Sequence, residues 1–92
     1  FIYASEGDLL NVALFGQTAK EWREQNADLK GNIRDYATVE QLIVLSNLES
    51  INSMLINQGL EQKERLQKLN ELAITQMKSL VGNKQLRKLS LS

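Results

Sequence analysis

The segment from Ala37 to Gly59 constrains the fold most, because its apolar residues point in almost every direction. Thr38 can cap the start of a helix, and Gly59 can end one by taking the left-handed conformation. The intervening residues, about 20 of them, include no glycine or proline, which gives roughly 30 Å of helix at 1.5 Å per residue. A helix that is apolar on several sides has to be covered by its own domain or by a partner.

The apolar residues of this helix fall into three groups by helical spacing. We call them the first stripe, the second stripe and the third cluster, and they are, in order, Val44-Leu48-Ile51-Leu55, Leu42-Leu45-Ile56 and Val39-Ile43-Met54. We expect the first stripe to meet the last helix and the second stripe to meet the N-terminal helices. The third cluster has no assured cover, so the sequence predicts a partner interface there.

The N-terminal part of the chain predicts two short helices. Ser5 can cap the first, at about Glu6–Phe15, and Gly16 is placed to end it. Thr18 can cap a second, mostly polar helix on which Trp22 is the only large apolar side chain. We interpret Trp22 as the residue that anchors this helix to the core, with ligand stacking as the alternative role.

The last long helix is predicted at about Glu61 to Val81, ending at Gly82-Asn83. Its apolar residues form a one-sided seam, Leu66-Leu69-Ala73-Met77-Leu80, and its opposite face is polar, with Glu64, Lys68, Glu71, Thr75 and Lys78. The link after Gly59 is short, so this helix should fold back antiparallel to the central one. The sequence therefore predicts an all-α domain of about four helices, two short ones followed by a long antiparallel hairpin.

Composition excludes several functional classes. Ninety-two residues predict one domain, and the absence of cysteine and histidine excludes disulfides, thiolate chemistry and nucleophilic catalysis with a histidine base. Lack of cysteine also favours a cytoplasmic setting. No apolar run approaches the length of a membrane span, and no signal peptide is visible. The chain starts at Phe1 rather than Met, which indicates a piece of a longer protein.

No motif in the sequence predicts an enzyme. The glycines at 7, 16 and 31 are too far apart for a phosphate loop, and no calcium-loop spacing of acids occurs. The acids outside the two long helices have the positions of capping and surface residues, namely Glu6, Asp8, Glu21, Glu24, Asp28 and Asp35. We therefore predict no catalytic residue, no metal site and no cofactor.

Charge is unevenly distributed along the chain. Residues 1–60 hold four basic and eight acidic residues, whereas residues 61–92 hold seven basic and three acidic. We assign residues 1–82 to the helical domain and residues 83–92, with Lys84, Arg87 and Lys88, to a basic C-terminal tail. This tail either is a solvated, frayed terminus, with at most a short extra turn, or contacts an acidic partner or nucleic acid.

Two features of the central helix leave alternatives open. Glu49 lies on the side of the second stripe, so it is either exposed at the edge of the core or paired with Arg34 or Arg65. Small polar residues recur at steps of 4, 3 and 4, at Ser46, Ser50, Ser53 and Asn57. They form either the solvent face of the helix or a surface that another helix can approach closely.

The succession of segments resembles the C-terminal part of KilA-N domain proteins of bacteria and their phages. The residues that carry this resemblance are YASEGDLLNVALFG, TAKEWREQN, DLKGNIRDYAT and QLIVLSNLES…NQGLEQKERLQKLNELAITQM, which together cover Tyr3 to Leu80. Within them Thr18, Trp22, Arg23, Gly31, Asn32, Arg34, Asp35, Asn47 and Glu49 have the character of caps, turns and packing anchors. In that family the domain associated with DNA binding lies upstream, and no catalytic residue is carried over from the resemblance.

From the residues and the resemblance we expect a non-enzymatic accessory domain of a phage-type DNA-binding regulator. Its function would be protein–protein contact, most simply self-association through the third cluster. The alternative is direct binding of nucleic acid through Lys84, Arg87, Lys88 and the basic side of the last helix.

Overall fold

Every regular element of the described chain is helical, which confirms the predicted all-α class. The computed structural model describes residues 2–91, and the side chains of residues 2–82. Its elements are α1 (Glu6–Phe15), α2 (Ala19–Gln25), a 3₁₀ helix (Ile33–Tyr36), α3 (Val39–Asn57) and α4 (Gln62–Leu91). Two short helices followed by a long hairpin are therefore found in the predicted order.

The helices begin at capping residues. The Ser5 hydroxyl accepts a hydrogen bond from the backbone N–H three residues later, at 3.1 Å, and α1 follows at once. Thr18 and Thr38 each form a reciprocal capping box, in which the side chain three residues on accepts from the backbone N–H of the threonine. These bonds satisfy N–H groups that have no partner inside the helix, so the predicted starts of α1, α2 and α3 are confirmed.

The glycines end two of the helices but not the third. Gly16 and Gly59 have φ angles of 78° and 81°, and α1 and α3 end beside them. Gly82 is not among the glycines of positive φ, so the backbone stays right-handed and α4 continues to Leu91. The predicted end at Val81 is therefore wrong, because one glycine in a helix costs only about 1 kcal/mol relative to alanine. The boundary at residue 82 between domain and tail stays a prediction.

Three helices enclose the core. Asn52 of α3 donates to Glu6 at the start of α1, whereas Asn70 of α4 donates to the carbonyl of Ala13 near its end. Glu6 also bonds Arg65 near the start of α4, so α1 runs parallel to α4 and antiparallel to α3. The buried apolar side chains that these helices share are Leu9, Leu10, Ala13, Val44, Leu45, Leu48, Leu69 and Ala73.

The long helices bury the seams that their spacing predicts, with one exception. The first stripe of α3 and the apolar seam of α4 both belong to the core or pack against it, and the predicted polar face of α4 is exposed. In the second stripe only Leu45 is buried, while Leu42 and Ile56 are each 44% exposed. Only Leu45 of this stripe therefore joins the core, and the expected contact of Leu42 and Ile56 with the N-terminal helices stays a prediction. At ten residues, α1 is about 15 Å long and cannot cover an α3 of about 28 Å.

The second helix packs against the 3₁₀ helix rather than entering the core. Trp22 is 8% exposed, and its ring lies 5.2 Å from the ring of Tyr36, measured between centroids. Ile33 is also buried. Trp22 is therefore buried, as predicted, but it anchors α2 to the 3₁₀ helix and is not part of the core cluster. Its alternative role in ligand stacking stays a prediction.

Candidate protein–protein interface

The third cluster lies on the outward face of α3. Val39, Ile43 and Met54 are 69%, 45% and 60% exposed, respectively. Burial of large aliphatic side chains is favourable by about 25 cal/mol per Å², so their exposure on one helix face leaves that free energy available for binding. The structure thus leaves these three predicted interface residues open to a partner.

The exposed face extends along the whole of α3. Its residues recur at alternating steps of 4 and 3, and we call this row the outward seam: Val39, Ile43, Ser46, Ser50, Ser53 and Asn57. All six are exposed, and none is charged. Within the single chain the small polar residues therefore face solvent, which is one of the two predicted alternatives. Their spacing is also that of a helix that packs against another helix, because alternating steps of 4 and 3 keep a seam on one side.

The opposite side of α3 is held by a buried polar cluster. Arg65 of α4 is 6% exposed and donates to the carbonyl oxygen of Leu60 at 3.1 Å and to Oδ1 of Asn52 at 2.9 Å. Its guanidinium also donates to both carboxylate oxygens of Glu6 in α1, the second of them at 3.3 Å. Asn52 donates in turn to Glu6 at 2.8 Å. One cluster therefore joins all three core helices and fixes which face of α3 points outward.

The electrostatics of this cluster favour the charged form of Glu6. The hydrogen bond from Arg65 lowers the pKa of the Glu6 carboxyl below its ordinary value, and the bond from Asn52 acts in the same direction. This cluster was not predicted from the sequence. The available signal was register: Asn52 follows Leu48 by four residues and Arg65 precedes Leu69 by four, so both occupy core-facing positions.

Glu49 combines two of its predicted alternatives. Its side chain is 52% exposed, and its carboxylate lies 3.6 Å from the guanidinium of Arg34. Arg34 also donates from Nε to Oδ1 of the buried Asn11, at 3.1 Å. The predicted pairing with Arg34 is therefore confirmed, whereas Arg65 binds Glu6 instead. An ion pair this exposed contributes at most about 1 kcal/mol, so its main effect is to mask the charge beside α3.

A shallow groove runs between α3 and α4. It has a volume of about 370 Å³, and its apolar lining comes from Ile51, Leu55 and Leu72. Asn47 bridges the two helices by donating to Oε1 of Gln76 at 3.1 Å. The groove and this hydrogen bond both lie along the contact between α3 and α4.

The candidate nucleic-acid residues lie outside the described side chains. Lys84, Arg87 and Lys88 lie in the last part of α4, where the structure describes the backbone alone, as far as Leu91. Their assignment as nucleic-acid contacts stays a prediction.

Metal-binding clusters and membrane spans are absent from the part of the chain that the structure describes. Among the described side chains, those of residues 2–82, no three of histidine, cysteine, aspartate or glutamate lie close enough together to bind a metal ion. None of the helices within that range combines the length and the apolar character needed to cross a lipid bilayer.

Comparison with known proteins adds no relative: no protein-family model, no curated protein and no solved structure is significantly similar to this chain. The resemblance to KilA-N domain proteins therefore stays a prediction, and the outward face of α3 is the feature on which a function can be based.

Proposed function

We propose that this chain is a non-catalytic helical domain that mediates protein–protein contact, most simply self-association, through the outward face of α3. The observation that supports this most is the exposure of Val39, Ile43 and Met54 on one uncharged helix face. Protein interfaces are depleted in charged residues at their centres, and large apolar side chains that are exposed together on one face are typical of interaction sites. The buried Arg65 cluster holds α3 in position from its core-facing side, so the outward face is already formed in the free chain.

The proposed setting is an accessory domain of a phage-type DNA-binding regulator in the cytoplasm. This setting is supported by the resemblance of residues 3–80 to KilA-N domain proteins. In such a regulator, self-association would bring two DNA-binding domains together and raise the effective concentration of the second at its site.

Light scattering over a range of protein concentrations tests the proposed contact. We expect a mass above the monomer at high micromolar concentration and a return to monomer in Ile43→Glu, because a glutamate would be buried unpaired in the contact. A matched control is Ile74→Glu, since Ile74 is also a helical isoleucine and is 48% exposed, against 45% for Ile43. A monomeric parent at high micromolar concentration, or equal loss of association in both variants, would exclude the proposed surface.

Direct nucleic-acid binding is the second candidate function. It is favoured by the continuation of α4 to Leu91, which places Lys84, Arg87 and Lys88 within little more than one helical turn. Gel shifts at low and moderate salt test it, with the triple alanine variant of these residues as the control. Binding that weakens steeply with salt and is lost in that variant supports the function, and no shift at low salt excludes it.

A further inference from the structure

We propose that the partner of α3 is a second copy of this chain, bound antiparallel across a two-fold axis that passes between Asn47 and Ser50. This proposal rests on the proposed function and specifies its geometry. In a two-fold contact the same patch meets itself, so residues at one end of α3 meet residues at the other end. The alternating steps of 4 and 3 residues in the outward seam fit such a pairing.

The exposed face carries aliphatic side chains at both of its ends. Near the start of α3, four exposed residues stand at the relative positions 0, 3, 4 and 7, which form a hole on a helix surface: Val39, Leu42, Ile43 and Ser46. Near the other end stands Met54, a single long apolar side chain that is 60% exposed. If Met54 of each copy enters the hole of the other, the aliphatic side chains of both ends become buried in one arrangement.

Small residues occupy the middle of the pairing. Ser46, Ser50 and Ser53 lie between the aliphatic ends, and side chains of this size allow two helices to approach to about 8 Å. The hydroxyl of Ser53 already donates to the carbonyl oxygen of Glu49, at 3.2 Å, so its burial leaves no unsatisfied donor. Opposed helix directions also bring the positive end of one helix dipole near the negative end of the other.

Charge favours a second copy over a charged partner. The six residues of the outward seam carry no charge, and the formal net charge of the chain is zero, so two copies have no net repulsion to overcome. Of the two acids of α3, Glu40 and Glu49, neither belongs to the outward seam, and Glu49 is paired with Arg34. A basic or acidic partner would find no complementary group on the seam itself.

The area of the contact sets the expected affinity. A helix about 28 Å long and 10 Å wide offers roughly 300 Å² per copy, compared with about 800 Å² per partner in a standard stable complex. We therefore expect a weak dimer, with a dissociation constant of about 10–100 μM, so that the dimer is the main species at high micromolar concentration. Met54→Ala removes the side chain that fills the hole and is expected to weaken the dimer by about tenfold.

Cysteine cross-linking tests the antiparallel register, and the absence of natural cysteine makes every engineered thiol unique. With Met54 centred on the hole, the two Ser50 Cα atoms are about 5 Å apart along the helix axis and the two Asn57 Cα atoms about 26 Å apart. Ser50→Cys should therefore form an intermolecular disulfide under mild oxidation, and Asn57→Cys should not. A parallel pairing would cross-link both.

The outcomes separate this proposal from the proposed function. Ser50→Cys cross-linking without Asn57→Cys cross-linking, with association weakened in Met54→Ala, supports the antiparallel dimer. A dimer by light scattering in which both cysteine variants cross-link, or neither does, overturns the register but leaves self-association standing. A monomer at high micromolar concentration overturns both. Unchanged circular dichroism and thermal unfolding of each variant, which alters an exposed residue, show that the fold is retained.

Discussion

The buried cluster of Glu6, Asn52 and Arg65 gives an asymmetric prediction for the two partners of one ion pair. Glu6→Ala leaves a guanidinium whose side chain is 7% exposed without its carboxylate. Arg65→Met leaves a carboxylate whose side chain is 44% exposed, so water can solvate it. Although each substitution breaks the same pair, we expect Glu6→Ala to be the more destabilising.

The magnitudes follow from the burial of each partner. Removing one member of a fully buried ion pair costs about 3–5 kcal/mol, and solvent screening of the half-exposed carboxylate reduces this to about 2 kcal/mol for Glu6→Ala. Arg65→Met loses the hydrogen bonds to Asn52 and Leu60 but introduces an apolar side chain at a buried site, for a cost of about 1 kcal/mol. The double variant should cost about as much as Arg65→Met alone, because no buried charge remains.

Urea unfolding at pH 7, followed by the fluorescence of Trp22, measures these free energies of unfolding. Glu64→Ala is the control, since Glu64 is exposed on the polar face of α4 and should change stability by less than about 0.5 kcal/mol. The inference is that Glu6→Ala destabilises the fold by leaving a buried guanidinium without its carboxylate. Equal losses of unfolding free energy in the two single variants, or losses that add in the double variant within about 0.5 kcal/mol, would refute it.

The same cluster predicts a dependence of stability on pH. The folded pKa of Glu6 is lowered from an ordinary value near 4.5, mainly by its hydrogen bond from Arg65. The contribution of the carboxylate to stability is therefore complete above the ordinary value and is lost as the pH falls through the lower folded pKa. Glu6→Gln should flatten the stability profile below pH 4.5, and an unchanged slope would show that Glu6 does not titrate in this way.

Other substitutions test further contacts of the fold. Gly59→Ala should destabilise the fold by about 1 kcal/mol, because φ is 81° there. Gly82→Ala should stabilise it by up to about 1 kcal/mol, because Gly82 lies inside α4 with open space around it. Urea unfolding in which both variants change the free energy of unfolding in the same direction would contradict this. Trp22→Ala should cost about 3–5 kcal/mol by thermal unfolding, since the ring is 8% exposed, and a cost below 1 kcal/mol would exclude its role as an anchor. Asn70→Ala should cost about 1 kcal/mol by urea unfolding, because the bond to the carbonyl of Ala13 is lost, and Asn70→Asp, which cannot donate that bond, should cost no less.

Local chemistry made the helices predictable from the sequence. Ser5, Thr18 and Thr38 can satisfy the free N–H groups of a helix start, and Gly16 and Gly59 can adopt positive φ, so those boundaries depend only on neighbouring residues. The end of α4 was not predictable in this way. A glycine such as the one at position 82 is compatible both with a helix end and with a helix interior.

Contacts between helices were only partly predictable. Spacing identified the core faces of α3 and α4, but it could not show that α1 is too short to cover Leu42 and Ile56. The pairing of Arg65 with Glu6 also lay beyond sequence reasoning, because the two residues are 59 positions apart and become neighbours only when α1 packs parallel to α4. The exposure of Val39 and Ile43 followed from the count of apolar faces on α3, since a chain this short has few helices with which to cover them.

The parallel pairing of α1 with α4 has a consequence for the order of folding. The α3–α4 hairpin closes through a loop of a few residues, whereas α1 reaches α4 only across a chain separation of 59 residues, and closing so long a loop costs more entropy. We therefore expect the hairpin to form early and α1 to dock late, after the rate-limiting step. Contacts that form late have φ-values near zero, so breaking them mainly accelerates unfolding. The lifetime of the folded domain would then be governed by the ten residues of α1 and the carboxylate at its start.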